Sequence, residues 1–471
     1  MTWTNVNLKL EFDDGRASDT IGDAFRMALS QLFANNKVGD PPVFGAGGDY
    51  PQAWTRDGAL NCWNAGSLLE PNTASHTLLS LLTEDPRYGL VISEGHRQWW
   101  DKIVWSSAAW HHYEVTSDRE FLRTAYEATE NTLREMEEKA FVRKFGLFRG
   151  GAFFQDGIAG YPEPPYDSSL PDSDFVLDYP DAHNIMCLST NALYVNAYRC
   201  AAVMAAELEV SKTIVRGYIV AADRLSDAIN EHLWSETAGT YGYFVYGEGT
   251  RKRGLAEFQE GVGLAFAVLC GVADARRVDS LMARVHREPF GIPAVWPSFE
   301  RFSADRPGRH NVLIWPQVNG LWAKAAIAAS RHGIYAAELS ALTELINRSG
   351  GNIMEIYHPV TGEPYGGWQS GKLWESCNYQ TWSATAYLSM VLEGLIGIRF
   401  EGGALKLAPY LPDNVGGARL RGLAIRGMTV DISVVRSGSR VAWARLNGQS
   451  CEVASIPLDR TGRQIVEIGL S

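Results

Sequence analysis

The chain has 471 residues, 46% hydrophobic and 21% charged, which allows a large core and fits a globular protein rather than a disordered or fibrous one. Its formal net charge of −11 argues against nucleic acid or an anionic membrane surface as partner. No apolar run reaches the roughly 18 residues of a membrane span, and the polar, acidic opening MTWTNVNLKLEFDDGR lacks the apolar centre of a signal peptide.

Residues 1–12 alternate weakly and predict a leading strand. From about Ala17 to Gly397, helix follows helix with a period of 3.6 residues. IGDAFRMALSQLFAN comes first, then NTASHTLLSLLTED. HRQWWDKIVWSSAAWHHYEVT is followed at once by SDREFLRTAYEATENTLREMEEKA, where Ser117 and Glu120 predict a capping box. The same pairing recurs in LSTNALYVNAYRCAAVMAAEL with VSKTIVRGYIVAADRLSDAINEHLW, in FQEGVGLAFAVLCGV with DARRVDSLMARVHRE, and in VNGLWAKAAIAASRHG with IYAAELSALTELINRSG; YQTWSATAYLSMVLEGLIGI closes the run. In each pair one member is small and apolar almost all round, and its successor is charged and amphipathic. Helices of the first kind belong inside and of the second kind outside.

About eleven such segments predict an all-α ring of helical hairpins, an (α/α)6 barrel. An open helical solenoid is the alternative, and the missing sequence repeat speaks against it. After Gly397 the period drops to two, with Gly and Asn between short runs, which predicts a small antiparallel β domain. The expected division is therefore a catalytic barrel with its leading strand over residues 1–398 and a β domain over 399–471.

The six cysteines are scattered without a CxxC pair, and most sit in apolar or helical contexts. They read as reduced and structural, which makes the cytoplasm the expected compartment. Metal-ligand spacings such as HExxH, the GxSxG elbow, the phosphate loop and the dinucleotide GxGxxG are all missing from the sequence. The expectation is chemistry without metal or cofactor, carried by carboxylates.

Four long connections are rich in acids and aromatics: GGDYPQAWTRDGALNCWNAG at 47–66, then 146–184, 306–320 and 352–384. With 15 Trp, 19 Tyr and 18 Phe in an acidic chain, these loops suggest a sugar ligand, since aromatic faces stack on sugar C–H faces while carboxylates hold hydroxyls. Cleaving a glycosidic bond takes two carboxyls on either side of it. Asp156, in FFQDGIAGY, has aromatic neighbours expected to desolvate it and raise its pKa, as a general acid requires. Glu355, in GNIMEIYHPVTGE, is the second acid in an apolar setting.

The stretch MEIYHPVTGEPYGGWQSGKLWESCNYQTWSATAYL resembles the E-x-Y-x-P-x-T-G segment, glycine turn and W-S-A of glycoside hydrolase family 63, which joins the trehalases among inverting (α/α)6-barrel enzymes. The resemblance makes Glu355 the general base, with Tyr357, Pro359, Thr361, Gly362, Trp382, Ser383 and Ala384 matching around it. Trp374 and Glu375 lie in a longer insertion, and Glu375 is the alternative base. IWPQVNGLWA is similar to another segment of the family and implies Trp315 and Asn319 at the pocket wall. By the same resemblance Asp156 is the general acid. Trp54 would pack on the terminal sugar, while Arg56 and Asp57 bind its hydroxyls; the alternative for that pair is a buried bridge that pins a helix start.

Together these readings predict an inverting, exo-acting α-glycoside hydrolase, foremost an α-glucosidase, acting on a small carbohydrate. The alternatives are a six-hairpin hydrolase of α-rhamnosidase, α-mannosidase or debranching type, and a non-catalytic carbohydrate-binding protein.

Overall fold

A computed structural model describes residues 3–13, 17–35, 37–162, 174–452 and 454–471. Of the long connection 146–184, residues 163–173 therefore lie outside the described residues. Twelve helices are found among the described residues: α1 (Ala17–Ser30), α2 (55–69), α3 (Pro71–Ser80), α4 (Val104–Thr116), α5 (Arg119–Lys139), α6 (Leu188–Glu207), α7 (Lys212–His232), α8 (Gly261–Leu269), α9 (Ala275–Arg284), α10 (Pro316–Ala328), α11 (His332–Arg348) and α12 (381–395).

The even-numbered helices touch in the order α2, α4, α6, α8, α10, α12 and back to α2, so the ring is closed and the solenoid alternative falls. The odd-numbered helices lie around it. Composition explains the sorting. In α8, GVGLAFAVL leaves seven of its residues buried from Gly261 to Ala267, while α5 buries one stripe and turns its acids and bases outward except Glu135, which is buried against Lys102. Small residues let inner helices approach. A Cβ on Gly320 of α10 would sit 2.7 Å from Ala386 Cβ of α12, closer than two carbons can stand.

The expected capping box of Ser117 and Glu120 is not found; the cap falls one residue later. Ser117 takes a left-handed backbone (φ 55°) that ends α4, and Asp118 caps α5 by accepting from the backbone N–H groups of Glu120 (2.9 Å) and Phe121 (3.0 Å). Asp118→Ala is expected to cost about 1 kcal/mol, read as a small drop in thermal midpoint without loss of fold.

The C-terminal part forms β2 (Ile398–Glu401), β3 (Ala404–Leu407), β4 (Gly417–Ile425), β5 (Met428–Val435), β6 (Val441–Leu446), β7 (Gln449–Cys451), β8 (Ser455–Pro457) and β9 (Gly462–Leu470). The leading strand β1 (Lys9–Phe12) joins them, giving a six-stranded sheet in the order β1-β4-β5-β9-β6-β7. Pairing is antiparallel except between β5 and β9, which run parallel because the chain returns through β6 to β8 before β9. Among the described residues no helix is long and apolar enough to cross a membrane.

Candidate active site

The connections that lead from an outer helix into the next inner one gather at a single end of the ring. That end carries the N-termini of α2, α10 and α12, with Trp54 and Trp315 as the residues that open α2 and α10. A cavity of about 210 Å³ lies there, lined by Trp54, Arg56, Asp57, Asp156, Trp315, Glu355, Trp374 and Trp382 from the predicted set, together with Tyr50, Phe154, Gly157, Asp174, Phe175, Arg309, His310 and Gln369. A second hollow of about 240 Å³ shares Trp54, Arg56, Asp156 and Phe175 with it and adds Gln98, Asp101 and Lys102.

Arg56 is 8% exposed and sits at the junction. It donates from Nη1 to Asp101 Oδ2 (2.8 Å) and Gln98 Oε1 (3.0 Å), and from Nη2 to Asp156 Oδ2 (3.3 Å), while its Nε lies 3.5 Å from Asp57 Oδ2. Its guanidinium also stands over the Trp382 ring at 5.5 Å. Burial works against this charge, but Asp156, Asp57 and Asp101 outweigh it and raise the pKa further. The Arg56–Asp57 pair is a buried bridge at the start of α2, and both residues line the cavity.

Burial pushes the Asp57 carboxyl from its usual 3.8 up to about 7, against the pull of Arg56 and with help from Asp156 and Glu355. Burial pushes Asp101 up to about 7 in the same way. Such groups hold protons to higher pH folded than unfolded. Their contribution to stability is therefore full below about pH 4 and lost as the pH rises toward 7. Asp57→Asn, which cannot ionise, is expected to gain stability relative to the parent chain across that interval in urea unfolding at stepped pH. A difference that stays flat with pH would show Asp57 ionised throughout.

Asp156 departs from expectation. Its neighbours Phe154 and Trp315 are aromatic and burial does push its carboxyl up, but Arg56, His310, Arg309 and a hydrogen bond from Gln98 hold it below the ordinary carboxylate range. Oδ2 faces Arg56 and Gln98, and Oδ1 faces His310 Nε2 at 3.5 Å. Glu355 is 6% exposed; its Oε2 accepts from Arg309 Nη2 (2.7 Å) and from the backbone of Cys377 (3.4 Å).

Three predicted residues do not reach the cavity. Asn319 lies one turn inside α10, where side chains point between the layers, and donates to Glu338 Oε2 of α11 (2.6 Å) and the Phe290 carbonyl (3.3 Å). Tyr357 is buried; its hydroxyl accepts from the Met354 N–H (2.9 Å), and its backbone pairs with Ile314, tying the Glu355 loop to the loop before α10. Glu375 is exposed, and it is its backbone carbonyl that accepts from Arg309 (3.1 Å). The sequence reading named the 306–320 loop but passed over Arg309 and His310. The available signal was a basic doublet in front of the apolar run NVLIW, in a loop already picked out for its Trp.

The class of the protein is that of the glycoside hydrolases, on a helical barrel. The family model for the mannosylglycerate hydrolase MGH1-like glycoside hydrolase domain matches residues 50–383, and the chain belongs to that family, within GH63. No curated protein matches the chain. Among solved structures, a sialidase superposes with a TM-score of 0.68 at 14% identity, covering 89% of this chain, which spans 37% of the sialidase chain. GH63 mannosylglycerate hydrolase from Thermus thermophilus in complex with glucose superposes at 0.59 with 18% identity, covering 78% of this chain and 99% of that one. The GH78 family rhamnosidase of Bacillus sp. GL1 superposes at 0.60 with 14% identity, covering 98% and 44%. At these identities the likeness is one of fold.

Proposed function

We propose that the chain is an inverting, exo-acting α-glycosidase that cleaves small α-glucosides or α-mannosides, with Asp156 as general acid and Glu355 as general base. The observation that carries this reading is that two carboxylates, from loops about 200 positions apart in sequence, face one cavity walled by tryptophans. Asp156 is shared by both hollows, where an acid between the sugar and its leaving group would stand. Trp374 and Trp382 line the wall and offer ring faces to a sugar, and their indole N–H groups are buried without a hydrogen-bond partner among the described residues. The sugar class follows relatives: GH63 mannosylglycerate hydrolase of Thermus thermophilus has been solved with glucose and with D-glycerate.

The low pKa of Asp156 fits an acid that is loaded by its substrate. Its contact with Arg56 is a long one, 3.3 Å, and a glycosidic oxygen entering beside Oδ2 weakens it and expels water. Both changes favour the protonated form. Glu355 presents Oε2 to Arg309, which leaves Oε1 to take a proton from the attacking water.

The test is a panel of α-glucosides, α-mannosides (mannosylglycerate included) and α-rhamnosides, followed by proton NMR through the first minutes. Release of the β-anomer from an α-glucoside or α-mannoside is expected. Release of the α-anomer first would sink inversion, and a chain that turns over only the rhamnosides would sink the sugar class.

A further inference from the structure

Arg309 and His310 are consecutive, and they meet different carboxylates. Arg309 donates to Glu355 Oε2 at 2.7 Å, and His310 Nε2 stands 3.5 Å from Asp156 Oδ1. Adjacent Cα atoms are about 3.8 Å apart whatever the surroundings do. One short piece of backbone therefore reaches both sides of the cavity.

That piece is clamped. The Arg309 N–H donates to the Trp368 carbonyl (3.0 Å), and its own carbonyl accepts from Trp315 Nε1 (3.1 Å). Its Nη1 donates to the carbonyls of Gly366 (3.0 Å) and Glu375 (3.1 Å). The His310 ring, 4% exposed as a residue, lies 4.8 Å from the Trp315 ring and packs on the backbone of Gly157, the residue after the acid. Burial pushes the imidazole down to about 3 despite the opposing pull of Asp156, so the ring is neutral near pH 7. A proton on Nε2 would lie between the ring and Asp156 Oδ1, 3.5 Å away, and would brace the carboxylate without adding a full positive charge.

We propose that Arg309 and His310 are the positioning pair of the reaction, one clamped peptide that sets the orientation and spacing of acid and base by bracing a carboxylate with each side chain. The inference rests on Asp156 and Glu355 acting as acid and base. Neither positioning residue exchanges a proton with the substrate; each acts through its carboxylate. His310 therefore serves only the step that protonates the leaving group, and Arg309 serves only the activation of water.

The experiment compares kcat and KM on an O-linked α-glycoside with a poor leaving group and on the matching glycosyl fluoride, whose fluoride departs without needing full protonation. His310→Phe keeps the packing and removes the donor. It is expected to lose roughly 10–100-fold in kcat on the O-glycoside, with KM little changed, and only a few-fold on the fluoride. His310→Gln, which places an N–H where Nε2 was, is expected to recover much of the loss. Arg309→Gln is expected to lose a similar factor on both substrates, and Arg309→Lys to recover part of it.

Equal losses by His310→Phe on both substrates, or none on either, would overturn the pairing. If His310→Phe does not fold by circular dichroism, His310→Leu carries the same comparison. Asp156→Asn and Glu355→Gln run alongside. If they lose turnover while the His310 and Arg309 variants show no split by leaving group, the positioning inference alone fails. If Asp156→Asn keeps its turnover, the acid assignment has failed beneath it.

Discussion

Asp156→Asn is expected to lower turnover on an O-linked α-glycoside by about 10²–10⁴-fold and to regain much of its rate on the glycosyl fluoride, while Glu355→Gln stays poor on both. The asymmetry follows from the two roles. Fluoride leaves with little help, so losing the acid matters less, whereas water must lose a proton whichever group departs. Both variants should keep their thermal stability within a few degrees, because each substitution replaces a charged oxygen by an amide of the same shape, although Asp156 and Glu355 also give up an ion pair with Arg56 and Arg309. Glu375→Gln should turn over near the parent rate, since its side chain is exposed and lies away from the cavity wall. A dead Glu375→Gln beside an active Glu355→Gln would reverse the assignment of the base.

Gly157→Ala is expected to cut turnover about 100-fold with little change in fold, measured by steady-state kinetics and by melting. A Cβ at position 157 would meet Gln369 Oε1 at 2.3 Å and His310 Cδ2 at 2.4 Å, so something has to move. The Gln369 side chain can swing aside, but the His310 ring is packed against Trp315, so either that ring or the acid's own backbone shifts as well, and a displacement near 1 Å at a reacting group is worth about that factor. Full activity in this variant would mean that the loop relaxes away from the cavity.

Much of the fold was legible because helix sorting depends on local composition. The contrast between GVGLAFAVL and DARRVDSLMAR needs no knowledge of the rest of the chain to say which helix is inside. The leading strand was readable as a strand, but its partner was not, because pairing with β4 is a contact across nearly the whole sequence. In the site, the loops richest in Trp and acids were legible, and Trp54, Arg56, Asp57 and Glu355 stand among the cavity residues. Three kinds of information were out of reach. The depth of a residue along an inner helix separates Trp315 from Asn319 by a single turn, and only the three-dimensional layer order says which end is open. The pKa direction of Asp156 depends on Arg56, 100 positions away, and not on the aromatic residues beside it. Tryptophan count alone misleads, since Trp105 and Trp322 are fully buried in helices and belong to the core.

The contact between the two ends of the described chain bears on how the molecule is made. Asn5 donates to the Ala424 carbonyl 419 positions away, β1 completes the sheet edge along β4, and α2 closes the ring only against α12. A ribosome delivers α2 long before α12, so the apolar flank of α2 waits through most of synthesis without its neighbour. Contacts of such high sequence separation form slowly and leave sticky surface exposed meanwhile. Slower synthesis at lower temperature, or added chaperone, is therefore expected to raise the soluble yield, read as the soluble fraction on a gel, without changing the melting temperature of the purified protein.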